Sequence, residues 1–304
     1  MSDQLLRYWI FEKYLPGNLE IRDAKTRRNY GFAFDSLSRF LGREPELLDL
    51  NDDTFACWIN KLIADGLAET TVNGYAAKLK AFWDWAARRG HVAHFPTVGR
   101  VPVPERLPVA WRENELVKIF NGCRSQRGWV GDVPAWRFWT AIHGWWWCTA
   151  ERTEATFSLR IEHLRLDDGL AVLPASIRKG RRKTAVYDLW PDLVMMLQSM
   201  LPPYTKPRDL VFDWDQYFDR GTFYNRYSKM LQRLNLPHDR YRKPQAMRVS
   251  HASWQKVLGG DPTRALGHDD PATTRKSYID PTLDRDPERR LFCPWDRQPP
   301  PGAG

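Results

Sequence analysis

Five residues from Arg152 onward could together handle a phosphodiester. They are Arg152 in CTAERTEATFSLR, Lys179 in IRKGRRKTAVYDL, Arg248 in QAMRVSHAS, and His268 and Tyr278 in LGHDDPATTRKSYIDP. Guanidinium groups stay charged and offer forked donors matched to phosphate oxygens, so two arginines can grip a phosphate and stabilise the charge that builds in its transition state. A lysine can protonate a departing alkoxide. A tyrosine oxygen in line with the phosphorus can be the nucleophile, and its phenolate is a moderate leaving group, so the covalent intermediate conserves the energy of the broken bond. Such a scheme calls for no metal and no cofactor, and the sequence offers no acidic cluster of the kind that holds a metal.

The elements that must position these residues can be read from apolar spacing. In TTVNGYAAKLKAFWDWAARRG, Val72, Tyr75, Ala76, Leu79, Phe82, Trp83 and Ala86 recur at three and four, which predicts a helix with one buried face. Thr70 or Thr71 would cap its start and Gly90 would end it, and its other face carries Lys78, Lys80, Arg88 and Arg89. RRNYGFAFDSLSRFLG and NDDTFACWINKLIADG read as two more amphipathic helices, so residues 1–95 form a helical unit. HFPTVGRVPVPERLPVAW, with Pro96, Pro102, Pro104 and Pro108, breaks any regular element and makes 96–110 a linker.

Residues 111–283 read as mixed, mostly helical. ENELVKIFNGC, the aromatic run WRFWTAIHGWWWCTAERTEATFSLR, PDLVMMLQSML with Pro191 in its first turn, TFYNRYSKMLQRL and AMRVSHASWQKVL are expected helices. GLAVLPASI and TAVYDL are expected strands on either side of the basic turn RKGRRK. Residues 284–304 are a tail, its QPPPGAG end expected to be disordered. There is no internal repeat. Trp145, Trp146 and Trp147, three consecutive residues pointing around a helix, are assigned to core packing.

Composition narrows the partners. The 46 Lys and Arg outnumber the 37 Asp and Glu, for a formal net charge of +9, which favours polyanions and nucleic acid first. A chain of 304 residues suits two domains. No apolar run approaches the roughly 18 residues needed to span a bilayer, and MSDQLLRYW lacks a signal-peptide layout, so a cytoplasmic protein with no membrane partner is expected. Cys57, Cys123, Cys148 and Cys293 lie far apart with no metal-type spacing and read as ordinary thiols.

In their order these stretches resemble the tyrosine recombinases, or phage integrases. TAERTEATFSLR looks like the family's first arginine motif, IRKGRRKTAVYDL like its lysine hairpin, QAMRVSHAS like its His-x-x-Arg box, and LGHDDPATTRKSY like its Leu-Gly-His box followed by the nucleophile. The resemblance covers most of the chain and implies a mainly α protein with a small β-sheet: a helical, SAM-like core-binding domain, then a DNA breaking-rejoining catalytic domain. By that resemblance Tyr278 attacks a phosphodiester of double-stranded DNA, forming a 3′-phosphotyrosine and releasing a 5′-hydroxyl that rejoins to another strand. Arg152 and Arg248 bind the scissile phosphate, Lys179 is the general acid, with Lys183 the other candidate, and His268 supports the phosphate or the transferred proton. The working assembly would be a DNA-bound homotetramer, nucleoid-associated, with no small-molecule substrate.

The chain departs from the family pattern at several places. Gln245 stands three residues before Arg248, where the family has histidine or lysine, and an amide cannot accept a proton at neutral pH. His251, three residues after Arg248, is a minority candidate to replace it. Thr149-Ala150-Glu151 stands where the family has Thr-Gly before the first arginine, and the acidic place three residues after that arginine holds Ala155. These departures leave open a DNA-binding protein of the same fold without turnover; a relaxing topoisomerase of the type IB kind, using the same nucleophile, is a further alternative.

Overall fold

A computed structural model describes residues 5–18, 21, 24–178 and 183–283. The chain divides into two compact units, Met1–Glu105 and Arg106–Gly304.

In the first unit a helical stretch runs from Leu6–Tyr8 through Trp9–Tyr14, wound as a π-helix, to Leu15–Gly17. Three longer helices follow: α1 (Ala24–Leu41), α2 (Asp52–Ala64) and α3 (Glu69–Arg88). Asn51 caps α2 by accepting from the Thr54 N–H at 2.8 Å. The expected threonine cap of α3 is not found: Ala68 is the cap residue, and its carbonyl already accepts from the N–H groups of Thr71 and Val72, which puts both threonines inside the first turn. Gly90, at φ +72°, ends the helix as expected, in a left-handed conformation that a side chain would strain. The α3 face carrying Val72, Leu79, Phe82 and Trp83 is buried against Phe34, Phe55 and Trp58. Its basic face is engaged locally: Lys78 donates to the Gly74 carbonyl, Arg88 pairs with Asp84, and Arg89 lies over the Trp85 ring at 4.4 Å.

The proline-rich stretch has no regular element, yet it is strapped to this unit. Asp52 accepts from the N–H groups of Thr97 and Val98, and the Asn73 amide bonds both ways with the Val101 backbone at 2.8 and 2.9 Å.

The second unit is built around α5. After α4 (Glu113–Arg124) comes a two-residue hairpin, β1 (Trp129–Val130) with β2 (Val133–Pro134), then α5 (Ala135–Thr149) and the single turn α6 (Thr153–Thr156). The aromatic run expected to form one helix is therefore two, broken at Ala150, which takes φ +51°. Its N–H still closes on Trp146, but the chain beyond it turns out of the helix. Strands β3 (Leu164–Arg165), β4 (Leu170–Leu173) and β5 (Ala185–Asp188) form an antiparallel sheet in the order β3-β4-β5, with Ala171 opposite Tyr187. Helices α7 (Pro191–Met200), α8 (Arg220–Arg233), α9 (Gln245–Val257), α10 (Pro262–Leu266) and α11 (Pro271–Tyr278) complete it.

Helices α4, α7 and α9 pack on α5. Trp145 and Trp146 are buried in the resulting core, and Trp139 stacks on Phe223 with ring centroids 5.0 Å apart, so these tryptophans supply packing area. Among the described residues no helix is long and apolar enough to cross a membrane.

Candidate active site

Four of the singled-out side chains meet where α5, α6, α9, α10 and α11 end or begin. Arg152 is the cap residue of α6, and its place is fixed from behind by a bridge: the Trp146 indole donates to Thr156 Oγ1 at 3.0 Å, and that hydroxyl bonds to the Arg152 carbonyl at 3.2 Å. Arg248 projects from α9 and is 1% exposed. Its guanidinium donates to the carbonyl of Ala150 and, at 3.0 Å, to that of Leu266, clamping the break after α5 to the end of α10. Its Nε is buried with no partner among the described residues.

His268 follows Gly267, whose φ of +62° ends α10 in a left-handed turn. A Cβ at Gly267 would lie 3.2 Å from Nη2 of Arg178, so a side chain there would crowd that guanidinium as well as strain the backbone. His268 Nε2 lies 3.2 Å from Arg152 Nη2 and 3.0 Å from Arg248 Nη2. Guanidinium nitrogens only donate, so Nε2 must be the bare acceptor and the ring proton sits on Nδ1, which donates to the buried Thr274 hydroxyl at 2.9 Å. Burial first, then the charges of Arg248 and Arg152, push the imidazole down to about 4, so it is neutral at neutral pH.

Tyr278 closes α11, a helix capped by Asp270, which accepts from the N–H groups of Ala272 and Thr273. Its ring centroid is 4.9 Å from that of His268, and the Arg248 guanidinium lies over it at 5.2 Å. It packs on a small apolar cluster of Ala150, Ala252, Leu266 and Ile279. The chain after it is pinned: Ser253 donates to the Tyr278 carbonyl and accepts from the Asp280 N–H, while the Asp280 carboxylate accepts from the Ala110 N–H at 2.8 Å. The nucleophile candidate is thus held beside the arginines of its own chain.

The remaining candidates fall elsewhere. Lys179 lies outside the described residues. Lys183, at the far end of the same turn, pairs with Asp269 next to His268. Gln245 is exposed in the first turn of α9, and among the described residues no hydrogen bond joins it to the cluster. His251 does not stand in for it: its Nδ1 donates to the Trp147 carbonyl at 2.6 Å, which spends the ring on packing α9 against α5.

The sequence reading missed a buried group beside Arg152. Glu151, its side chain 1% exposed, accepts from the Arg152 N–H at 3.0 Å through Oε2, and from Arg178 Nε and the Tyr187 hydroxyl, each at 2.7 Å, through Oε1. Burial pushes its carboxyl up, but the Tyr187 hydrogen bond and the charge of Arg178 outweigh it and hold Glu151 below the ordinary range. The family's acidic place after Arg152 is Ala155 here, and the buried carboxylate precedes the arginine and holds its backbone N–H. The only signal was an acidic residue directly before Arg152, and in a stretch that also holds Thr149, Thr153 and Glu154 it reads equally well as a surface position.

No family model matches the chain. XerC tyrosine recombinases of Mycobacterium tuberculosis (strain H37Ra) and Mycobacterium bovis (strain BCG Pasteur) are each 32% identical to it over 108 residues, 34% of this chain and 36% of theirs. The chain thus matches about a third of the length of these curated relatives. The Tn1549 transposon integrase in complex with a circular intermediate DNA superposes with a TM-score of 0.71 at 10% identity, covering 90% of this chain and 95% of that one. A lambda integrase dimer bound to a COC′ core site gives 0.64 at 14% identity, covering 96% and 81%. The chain has the fold of these integrases, mostly helical with small antiparallel sheets. Its ordered motifs resemble those of the tyrosine recombinases, its likeness to the XerC proteins spans 34% of the chain, and its fold is that of the integrases.

Proposed function

We propose that this protein is a site-specific DNA recombinase or integrase that cleaves and rejoins double-stranded DNA through a 3′-phosphotyrosine intermediate. The observation that carries this reading is the convergence of Arg152 and Arg248 on one acceptor, His268 Nε2, with Tyr278 packed against both His268 and Arg248. That acceptor occupies the place a phosphate oxygen would take, and the partnerless Nε of Arg248 is a buried donor left for a ligand.

In the proposed reaction the Tyr278 oxygen attacks phosphorus, the bond to the 5′ oxygen breaks, and that oxygen leaves with a proton. Arg152 and Arg248 hold the two non-bridging oxygens as charge builds on them. The leaving oxygen is protonated from the basic turn, by Lys179 or by Lys183. His268, whose ring lies beside that of Tyr278 and whose Nε2 carries a lone pair, is the candidate to receive the nucleophile's proton. Gln245, exposed and unable to take a proton, contributes at most a hydrogen bond. Religation runs the same steps backwards with a different 5′-hydroxyl. No cofactor enters. The pinning of Tyr278 through Ser253 and Asp280 supports cleavage in cis, with each subunit of a DNA-bound homotetramer serving its own phosphate. The net charge of +9 and the mycobacterial XerC likeness support cytoplasmic work on the nucleoid.

Gln245 favours a second reading, a recombinase-fold protein that binds DNA without cutting it. One experiment separates the two: incubation of wild type and Tyr278→Phe with nicked duplexes carrying the native flanking DNA, followed by a search for a denaturation-resistant protein–DNA band. A band in wild type that is absent from the variant supports the transferase. No band in either, alongside salt-sensitive binding of the same DNA, supports the binder.

A further inference from the structure

Glu151 and Arg178 stand out as a charged pair in the interior of a domain whose proposed chemistry uses neither. A buried pair is expensive to assemble: desolvation of each ion costs several kcal/mol and is recovered only when geometry is good and the remaining donors and acceptors are used. Here they are used fully. Glu151 holds the Arg152 backbone, Arg178 Nε and the Tyr187 hydroxyl. Arg178 in turn donates through Nη1 to the Lys183 carbonyl at 3.1 Å and reaches the Tyr187 hydroxyl at 3.4 Å, while its Nη2 side lies against Gly267.

These contacts connect three pieces of the proposed site. Arg178 and Lys183 flank the basic run 179–182, and the Nη1 bond joins these two flanks, the base of that run. Glu151 ties that base to the residue that grips the phosphate. The packing against Gly267 sets the base beside the residue just before His268. Tyr187, on β5 opposite Ala171, anchors the group to the sheet.

We propose that Glu151, Arg178 and Tyr187 are positioning residues that set the base of the basic turn against the phosphate-binding arginines, and thereby govern protonation of the leaving 5′ oxygen. The inference rests on the strand-transferase reading above. None of the three touches the nucleophile; they act on the leaving oxygen through the basic run, whose flanking Lys183 carbonyl Arg178 holds.

The test compares two nicked duplexes of the same sequence, one with oxygen and one with sulfur at the bridging 5′ position of the scissile phosphate. Thiols ionise near pH 8.5, so a 5′ thiolate leaves without a proton, whereas a 5′ alkoxide needs one. The rate of covalent adduct formation is measured for wild type, Glu151→Gln, Arg178→Met and Tyr187→Phe, with duplex affinity measured in parallel. General acid catalysis contributes about 100-fold or more. Glu151→Gln and Arg178→Met are therefore expected to slow the oxygen substrate by about that factor while the sulfur substrate keeps a rate within about tenfold of wild type and affinity is unchanged.

Tyr187→Phe removes one hydroxyl and leaves the ion pair in place, so it remains informative if the other two fail to fold. It is expected to show the same preference for sulfur, in smaller degree. Equal slowing of both substrates, or no slowing of either, overturns the positioning role. Absence of an adduct from wild type on both duplexes overturns instead the strand-transferase reading beneath it.

Discussion

His268 offers a prediction that the geometry makes quantitative. Its ring is held neutral because burial and two guanidinium groups, at 3.0 and 3.2 Å from Nε2, oppose a further positive charge. The displacement from an ordinary 6.5 to about 4 corresponds to about 3.4 kcal/mol at 1.36 kcal/mol per tenfold change. The ring is only half-buried, so water screens part of this, and about 1.5 kcal/mol is the expected net effect on stability. The sign is fixed by which state binds the proton first. Unfolded chain takes it near pH 6.5 and folded chain near pH 4, so the contribution is fully present above 6.5 and is lost as pH falls from 6.5 to 4.

Urea unfolding of wild type and His268→Gln at pH 7.5 and pH 4.5 isolates that contribution, because His143 and His251, also pushed down chiefly by burial, are common to both proteins. The wild type is expected to lose about 1.5 kcal/mol more than the variant across that interval. Ring-proton NMR assigns the titration directly, and a phosphate analogue that seats between the arginines should move it upward, since the anion offsets the two charges and replaces Nε2 as their acceptor. An ordinary titration near 6.5 in the free protein would refute the arrangement.

Two further substitutions probe the frame of the site. Ala150 holds φ +51° without the freedom of glycine, so Ala150→Gly should stabilise the protein by about 1 kcal/mol, seen as a rise of roughly 2–4 °C in the melting temperature of the second unit; a fall would contradict the strain. Thr274→Val keeps the shape of a side chain that is 1% exposed but leaves the His268 Nδ1–H without its partner. It should cost about 1–3 kcal/mol and slow adduct formation, while Thr274→Ser retains both, and equal behaviour of the two variants would remove Thr274 from the argument.

What was legible in the sequence follows from how each feature is encoded. The helices of both units carry their signal locally, in apolar spacing, in Pro191 and in Gly90, and they formed close to the expected limits. The break at Ala150 carried no local signal, because alanine is the strongest helix former and no glycine or proline stands within five residues on either side. What sets it is tertiary: Arg248, 98 residues away in sequence, takes the Ala150 carbonyl out of the helix. The same holds for the site. Arg152, Arg248, His268 and Tyr278 were legible as residue types in order, whereas Glu151, Arg178, Tyr187 and Thr274 acquire a role only when strand β5 and helix α11 fold over the end of α5.

The departures from the family pattern then read as one set. A carboxylate at position 155 would lie in a site 2% exposed, where an unpaired charge costs several kcal/mol. At 151 the carboxylate arrives with Arg178 and Tyr187 already in hydrogen-bonding distance, and the left-handed turn at Ala150 is what swings residue 151 inward to meet them. Gln245, exposed in the first turn of α9, has no hydrogen bond to the cluster among the described residues. With an amide at that exposed position, the arginines find their acceptor in His268, which is neutral, has one bare nitrogen, and touches the tyrosine ring. In the proposed reaction, a phosphate that draws both arginines away from Nε2 frees that nitrogen as Tyr278 gives up its proton, so substrate binding would itself ready His268 to accept it.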